Sequence, residues 1–385
     1  MTIGIDASNI RNGGGITHLK SLLAHIEPAT YSSHNFVIWS SQATLTLLPE
    51  YSFLTKKTHA FLNKSTLYTF LFQLFFLKKE AKDCDLIFVP GGTFISSFRP
   101  FVTLSQNMLP FEKEEAKAYG LKMRLRLKIL YYTQSYTFKK ANGLIFLSEY
   151  ARNYILNKTH IEKRSTTLIP HGVDIAFQMP PRPQKKPNEY DTSSPFELLY
   201  ISYISIYKHQ WNIAEAVCQL HLEGIPIKLK LIGSVLDSFE KLETIMKNYP
   251  NFKECIDYKG GMPHEALPFE YQTADAFVFG SSCENLPIIL LEAMKAGLPI
   301  ASSNYGPMSE IMGASAIYFN PKKVSSIKNA LYILFHNTEL RQQIAHQAYH
   351  IGNTYCWKNC SERSISYLLE VAENYKSKKT VLCVE

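Results

Sequence analysis

Short apolar runs, typical of buried strands, alternate along the chain with longer segments whose apolar residues recur at helical spacing. Gly, Ser and Pro follow many of these runs and mark where each element ends. The alternating series covers residues 3–6, 16–24, 35–39, 86–89, 101–104, 143–147 and 167–169, and then 198–204, 211–222, 228–232, 239–248 and 255–258. Such alternation is typical of doubly wound parallel sheets, so we predict an α/β protein.

The two series are separated by residues 179–196, which are proline-rich, polar and without apolar periodicity. This composition indicates a linker or a surface excursion. We therefore predict an N-terminal domain over 1–178 and a similar C-terminal domain over 197–359, with a cleft between them. Residues 325–350 and 356–376 are predicted to be helical.

A strand, loop and helix are predicted over residues 276–296. The apolar run 276–279 ends at Gly280, Asn285 suits a helix cap, and Pro287 suits the first turn. This places Glu284 just before the helix and Glu292 within it. A helix N-terminus after a strand suits phosphate, and carboxylates accept hydrogen bonds from sugar hydroxyls, so the stretch fits a nucleotide sugar.

A solvated helix face is the alternative explanation for these two glutamates. The apolar Pro-Ile-Ile-Leu-Leu sequence between them favours a buried helix instead.

Glu284, seven intervening residues and Glu292 resemble the paired-glutamate motif of retaining GT-B glycosyltransferases of family 4. The resemblance implies that Glu284 contacts hydroxyls of the donor sugar and that Glu292 contacts the nucleotide ribose. It also implies two Rossmann-like domains, with a last helix, from about residue 360 to 385, that crosses back to the N-terminal domain. Glu310 matches a further family pattern. We expect Asn285, Leu286 and Ile288 to contribute to the substrate site.

Two positions depart from the family pattern. Lys208 matches the family lysine, but Tyr203 stands where an arginine is expected, which leaves charge neutralisation to Lys208 and to helix N–H groups. Gln106 or Asn107 stands where the family often has a histidine that contacts the donor. An amide can bind a sugar hydroxyl but cannot titrate near neutral pH, which fits a mechanism in which the leaving phosphate takes the acceptor proton.

Three glycines, residues 13–15, follow the first strand. Gly14 and Gly15 are expected to bring backbone N–H groups close to substrate, and a plain tight turn is the alternative. His18 occupies the place of the third glycine of a dinucleotide fingerprint, so that site is not expected. We expect His171 to have a structural role.

Composition narrows the class of protein further. The chain has 385 residues, 46% of them apolar, and seven scattered cysteines, which suggest neither a disulfide framework nor a zinc site. No Asp-x-Asp pair suits a metal-bound diphosphate, so we expect neither metal nor cofactor. Without an evident leader or a membrane-length apolar run, we expect a cytoplasmic protein.

The net positive charge is concentrated in the N-terminal half, where the first 170 residues include 21 basic and 11 acidic residues. Basic residues accompany aromatic ones over 64–82 and 122–140, which reads as two basic amphipathic helices. They fit either an anionic membrane surface or an aromatic stripe facing the core, and both interpretations remain open. No motif accompanies the charge, so a nucleic acid partner is not expected.

The sequence thus predicts a retaining, metal-independent glycosyltransferase of surface polysaccharide synthesis. The donor is a nucleotide sugar, with GDP-mannose slightly favoured by the resemblance, and the acceptor is a glycan, lipid-linked if the basic helices contact the inner face of the cytoplasmic membrane. Two alternatives are a non-catalytic nucleotide-sugar-binding subunit and a sugar-nucleotide epimerase. The non-titrating pair Gln106 and Asn107 disfavours the epimerase.

Overall fold

The computed structural model describes residues 1–11, 13–31, 33–161 and 165–382, with side chains up to Lys379 in the last helix. The chain divides into two compact units. The first contains Met1–Ala116, Gly120–Gly172 and Cys356–Glu385, and the second contains Lys117–Tyr119 and Val173–Tyr355.

The first unit is built on a seven-stranded parallel sheet with the order β3-β2-β1-β4-β5-β6-β7. Its strands are β1 (Thr2–Asp6), β2 (Asn35–Trp39), β3 (Leu54–Lys57), β4 (Leu86–Val89), β5 (Phe101–Leu104), β6 (Gly143–Phe146) and β7 (Thr166–Leu168). The central strands β4, β5 and β6 are buried along their whole length, as expected of a parallel sheet covered on both faces.

The second unit is built on a six-stranded parallel sheet with the order β10-β9-β8-β11-β12-β13. Its strands are β8 (Phe196–Ile201), β9 (Ile227–Ile232), β10 (Ile256–Tyr258), β11 (Ala276–Phe279), β12 (Ile300–Ser303) and β13 (Ile317–Phe319). In both sheets the strand order reverses beside the first strand, which is the doubly wound arrangement. The predicted fold class is confirmed.

The helices connect successive strands. Those before the second sheet are α1 (Gly14–Ala24), α2 (Pro28–Tyr31), α3 (Gln42–Leu45), α4 (Thr66–Phe75), α5 (Leu77–Glu80), α6 (Lys113–Lys117), α7 (Leu121–Lys140) and α8 (Glu149–Thr159). Those that follow are α9 (Gln210–Leu222), α10 (Phe239–Asn248), α11 (Phe252–Cys255), α12 (Leu267–Thr273), α13 (Ile288–Lys295), α14 (Met308–Met312), α15 (Val324–His336), α16 (Thr338–Gly352) and α17 (Trp357–Leu382).

The last helix, α17, belongs to the first unit and packs on α1 and β4. The Ser361 hydroxyl donates to the Leu22 carbonyl at 2.8 Å, and the Lys376 ammonium lies 2.6 Å from the Asp85 carboxylate. The expectation that the last helix returns to the N-terminal half is therefore confirmed.

The structure differs from the sequence prediction in several elements. Strand β3 lacks an apolar run, because its sequence is Leu-Thr-Lys-Lys, and β13 is only three residues long; neither is predicted from the sequence. The helical stretch 325–350 is two helices, because Asn337 accepts a hydrogen bond from Leu340 N at 2.9 Å and caps α16.

The proline-rich segment 179–196 lies in the second unit, since the chain leaves the first unit at Gly172. As far as residue 195 it is irregular apart from a short 3₁₀ turn at Pro187–Glu189, and Tyr190 within it is buried. The fully buried guanidinium of Arg341 donates to the carbonyls of Leu334 and Lys185, so this segment is fastened to the second unit.

Among the described residues, no helix combines the length and the apolar character needed to cross a bilayer.

Candidate functional site

The second sheet brings two charged residues of the sequence prediction together. Strands β8 and β11 are neighbours, with Leu198 opposite Ala276, and the strand order reverses between them. Lys208 lies in the loop after β8 and Glu284 in the loop after β11. In doubly wound sheets, ligands bind outside the carboxyl ends of the strands at this switch point. The fold therefore places both side chains where a ligand is expected.

Lys208 and Glu284 form an ion pair between the Lys208 ammonium and Glu284 Oε1. The two side chains are only 9% and 14% exposed. The ammonium also lies 5.1 Å from the ring centroid of Tyr207 and 5.3 Å from that of Phe279. Aromatic faces attract cations, so both rings help to hold the lysine in place.

Two tyrosines around this pair stay neutral. Burial, with the Glu284 charge as a second cause, raises the pKa of Tyr200 and of Tyr207 well above the ordinary value. The Tyr200 hydroxyl donates to the Lys208 carbonyl at 2.7 Å, which fixes the backbone that carries the lysine.

The two loops are tied to each other directly. Ser282 N donates to the Tyr207 carbonyl at 2.8 Å, and His209 Nε2 lies 2.9 Å from Ser282 Oγ. Burial and two nearby lysines lower the pKa of His209 to about 4, so its ring is neutral. Gly280 permits the close approach, because a Cβ there would lie 2.6 Å from Ile213 Cδ1 and 3.1 Å from the Lys208 carbonyl oxygen.

Helix α13 carries the second glutamate. The helix begins at Ile288 with Pro287 as the N-cap residue, so the prediction that Asn285 caps it is wrong. Asn285 is instead a buried residue of the preceding loop. Leu286 is buried in the same loop, and Ile288 is half-buried in the first turn.

The Glu292 carboxylate is buried and accepts two hydrogen bonds. His264 Nε2 lies 2.8 Å from Oε1, and the Tyr271 hydroxyl donates to Oε2 at 3.0 Å. The hydrogen bond to Glu292 is the main cause that raises the pKa of His264 above its ordinary value. Burial, followed by the Glu292 charge, raises the pKa of Tyr271 well above its ordinary value.

Sequence reasoning missed both partners of Glu292. His264 comes from a 3₁₀ turn and Tyr271 from α12, and both precede β11 in the chain. No spacing in the sequence connects them with Glu292, since the contact exists only because α12 packs beside α13. A polar partner could be expected in general, because a buried carboxylate without one is costly.

Two further residues of the sequence prediction have solvent-exposed side chains. Tyr203, at the position of the family arginine, is 50% exposed, and its carbonyl accepts from Gln210 Nε2 at 2.7 Å. Glu310 is exposed on α14.

In the first unit, Gly14 and Gly15 form the first turn of α1, after Gly13 with φ 65°. Gly15 and Gln106 are neighbours, because a Cβ at Gly15 would lie 3.5 Å from Gln106 Oε1. The Gln106 amide nitrogen is buried and has no hydrogen-bond partner among the described residues. Asn107 is exposed and accepts from Leu109 N at 3.1 Å, which makes a local turn.

His171 lies in a buried aromatic cluster of the first unit. Its Nδ1 is 3.0 Å from Nδ1 of His18, and both rings pack near Trp357. Burial lowers the pKa of His171 and lowers that of His18 to about 4, so both rings are neutral and one donates to the other. A structural role for His171 stays a prediction.

Within the part of the chain that the structure describes, no three His, Cys, Asp or Glu side chains are grouped so that they could hold a metal ion.

Fold and site together define an α/β protein of two Rossmann-like units, with a lysine and two glutamates at the carboxyl edge of the second sheet. Residues 182–351 match the family model described as Glycosyl transferases group 1. The matched stretch lies within the second unit and covers less than half of the chain. Lys208, Glu284 and Glu292, which the sequence singled out, lie in the same stretch.

Curated relatives share parts of the chain. Sulfoquinovosyl transferase SQD2 of Arabidopsis thaliana is 27% identical over 149 residues, covering 35% of this chain and 29% of its own length. O-antigen chain mannosyltransferase B of Escherichia coli is 28% identical over 111 residues, 29% of either chain. The putative colanic acid biosynthesis glycosyltransferase WcaL of Escherichia coli K12 is 23% identical over 205 residues, 51% of this chain. The matches span between 29% and 48% of these relatives' lengths.

Solved structures match almost the whole chain. HepE of Anabaena, in complex with UDP and glucose, has a TM-score of 0.71 at 17% identity and covers 96% of this chain and 100% of its own. Sucrose-phosphate synthase of Thermosynechococcus elongatus has a TM-score of 0.73 at 16% identity, covering 99% and 100%. At this identity the likeness establishes the shared fold.

Proposed function

We propose that the protein transfers a sugar from a nucleotide-sugar donor to a glycan acceptor. The observation that carries the proposal is the Lys208–Glu284 ion pair at the switch point of the second sheet, within the stretch that matches the family model Glycosyl transferases group 1. Such a donor requires a cation that binds its diphosphate and carboxylates that accept hydrogen bonds from its sugar hydroxyls.

Each residue has a distinct proposed role. Lys208 binds the diphosphate and stabilises the charge that develops on it when the sugar departs. Glu284, held beside the lysine, accepts hydrogen bonds from the donor sugar. Glu292 accepts from the ribose, and its bonds from His264 and Tyr271 fix the direction in which the carboxylate points.

In the first unit, Gly14, Gly15 and Gln106 are the proposed substrate contacts, since Gln106 has an unsatisfied buried amide beside the glycines. Asn107 remains a candidate at the reacting centre. Tyr203 is proposed to contact substrate through its exposed ring.

We propose a retaining mechanism. The bond between the anomeric carbon and the diphosphate oxygen breaks, and the acceptor oxygen bonds to the same face of that carbon. The acceptor proton moves to the departing phosphate oxygen. This route needs no titrating side chain near the donor, and neither Gln106 nor Asn107 titrates near neutral pH.

The proposed reaction needs neither a metal ion nor a cofactor, because Lys208 supplies the positive charge. Its acceptor is proposed to be a lipid-linked glycan at the cytoplasmic face of a membrane. The names of two relatives, the O-antigen chain mannosyltransferase and the colanic acid glycosyltransferase, support surface polysaccharide synthesis. GDP-mannose is the proposed donor, and the complex of HepE with UDP and glucose makes a UDP-sugar its rival.

Calorimetry and thermal unfolding with UDP, GDP, dTDP and CDP, each with and without EDTA, test the site. A ligand at a hundred times its Kd stabilises the fold by about 2.7 kcal/mol. We expect one diphosphate to bind selectively, to lose affinity in Lys208→Met, and to be indifferent to EDTA. Absence of binding by all four nucleotides would contradict the proposal.

A second candidate is a non-catalytic nucleotide-sugar-binding subunit, which the uncharged Tyr203 favours. Hydrolysis or transfer of the sugar from the nucleotide that binds distinguishes the two candidates. Binding without turnover, in the presence of membrane extracts that supply acceptors, would favour the subunit.

A further inference from the structure

Helix α7 turns a continuous apolar stripe toward solvent. Its apolar residues recur every three or four positions on the outer face of the helix. The stripe consists of Leu121 (81% exposed), Leu125 (61%), Ile129 (53%), Tyr132 (60%) and Tyr136 (52%). These positions share one side of a helix of 3.6 residues per turn. Five exposed apolar side chains in one row are unusual on a free surface and indicate an interaction site.

The opposite side of α7 already faces the core. Leu127, Gln134, Thr137 and Phe138 are buried there. The Thr137 hydroxyl accepts from Phe94 N at 2.9 Å, which fixes the rotation of the helix about its axis. The stripe is therefore not the core-facing surface that one interpretation of this segment expected.

Basic side chains border the stripe on both sides. At 100° per residue, Lys122 and Arg126 lie on one border, and Arg124 and Lys128 lie on the other. All four are exposed. The helix itself, described over its whole length, contains neither Asp nor Glu.

Helix α4 extends the surface. Its Gln73 accepts from Ile95 N at 3.3 Å and donates to the Thr93 carbonyl at 3.2 Å, while Thr137 of α7 bonds to Phe94. Both helices thus hold consecutive residues of one loop. Most exposed residues over 64–80 are again apolar or basic, namely Lys64, Leu67, Leu74, Phe75, Phe76, Lys78 and Lys79, and the others are Ser65, Thr66 and Glu80.

We infer that the stripe of α7 lies in the surface of a bilayer that contains anionic phospholipids. Leucine, isoleucine and tyrosine on one face, with Lys and Arg on the borders, are the pattern of helices that lie in the membrane interface. The apolar side chains enter the headgroup region, and the four flanking cations contact lipid phosphates. The charge complementarity selects anionic lipid over other occupants, and a row of apolar side chains does not suit a nucleic acid backbone.

This inference extends the proposed function, because a lipid-linked acceptor lies at such a bilayer. It does not rest on the Lys208 site, and vesicle binding is measured without donor or acceptor. A failure of vesicle binding and a failure of nucleotide binding are therefore separate results.

The test is flotation of the full chain with vesicles of phosphatidylcholine, and with vesicles that also contain about 30% phosphatidylglycerol. We expect binding to the anionic vesicles, weaker binding as salt rises, and little binding to the neutral ones. The double variant Leu125→Gln, Ile129→Gln should bind the anionic vesicles about tenfold less or weaker still, because two apolar side chains no longer enter the interface.

A matched control makes the same chemical change elsewhere. Leu222→Gln and Phe269→Gln replace equally exposed apolar residues of the second unit and should leave vesicle binding unchanged. All these positions are exposed, so folding should be retained, and thermal unfolding verifies it. Tyr132→Trp provides a direct readout: its emission, after subtraction of the wild-type emission from the three native tryptophans, should shift to the blue with anionic vesicles only.

Equal binding of the stripe variant and the wild type, or no vesicle binding at all, would overturn the inference. A second copy of the chain could instead cover the stripe. In that case the wild type would be a dimer in solution and Leu125→Gln, Ile129→Gln a monomer, and this result would also overturn it.

Discussion

Replacing Lys208 by Met tests whether the ion pair is a coupled, largely buried unit. Methionine keeps most of the side-chain stem against Tyr207 and Phe279 but removes the ammonium, which leaves the Glu284 carboxylate without its cation. Removing one partner of a buried ion pair costs about 3–5 kcal/mol. Because the two side chains keep 9% and 14% exposure, we expect the lower end, a loss of about 3 kcal/mol.

The change must be measured in the second unit alone, because two-domain proteins need not unfold in one step. The chain has three tryptophans, and Trp211 lies on α9 in the second unit, beside His209. In a background with Trp39→Phe and Trp357→Phe, Trp211 fluorescence reports unfolding of the second unit by urea.

A double-mutant cycle with Glu284→Gln completes the test. The double variant lacks both charges, so no carboxylate or ammonium is left unpaired, and it should be more stable than Lys208→Met alone. Losses that add within about 0.5 kcal/mol would refute the coupled pair. So would a Lys208→Met loss of about 0.5 kcal/mol or less, which is typical of an exposed ion pair.

Three further predictions concern the same unit. The hydrogen bond to Glu292 raises the pKa of His264 in the folded protein. The stabilisation by protonated His264 is therefore complete below the ordinary pKa of 6.5 and is lost as pH rises through the higher folded pKa. The melting temperatures of the wild type and His264→Gln should converge on the alkaline side, and a difference that stays constant with pH would contradict this. Gly280→Ala should lower the free energy of unfolding of the second unit by about 1–3 kcal/mol through overpacking, whereas the control Gly120→Ala, in the first unit with open space around its Cβ position, should leave the second unit unchanged. EDTA should leave nucleotide affinity unchanged in calorimetry, and a loss that Mg²⁺ restores would contradict the metal-free proposal.

The stripe on α7 illustrates what a sequence pattern leaves open. Basic and aromatic residues at helical spacing fit a membrane-facing helix and a core-facing one equally well, because periodicity gives the faces of a helix but not which one meets the sheet. The hydrogen bond between Thr137 and Phe94 decides the rotation, and it joins residues 43 positions apart.

The sequence by itself determined the α/β class and most of the strands, because an apolar run that ends at Gly or Ser is local information. Strands β2, β4 and β5 have the predicted bounds. It also singled out Glu284 and Glu292 by their spacing within one strand-loop-helix unit, and Lys208 by its match to a family pattern. Both signals are local in the sequence, so neither requires knowledge of a long-range contact.

Only the tertiary structure decided which side chains meet. Lys208 and Glu284 are 76 residues apart, and pairing of β8 with β11 brings them together. Tyr271 and His264 reach Glu292 because α12 and the turn before it pack against α13. Such contacts follow from strand order and helix packing, which depend on the whole fold, and no pattern along the chain encodes them individually.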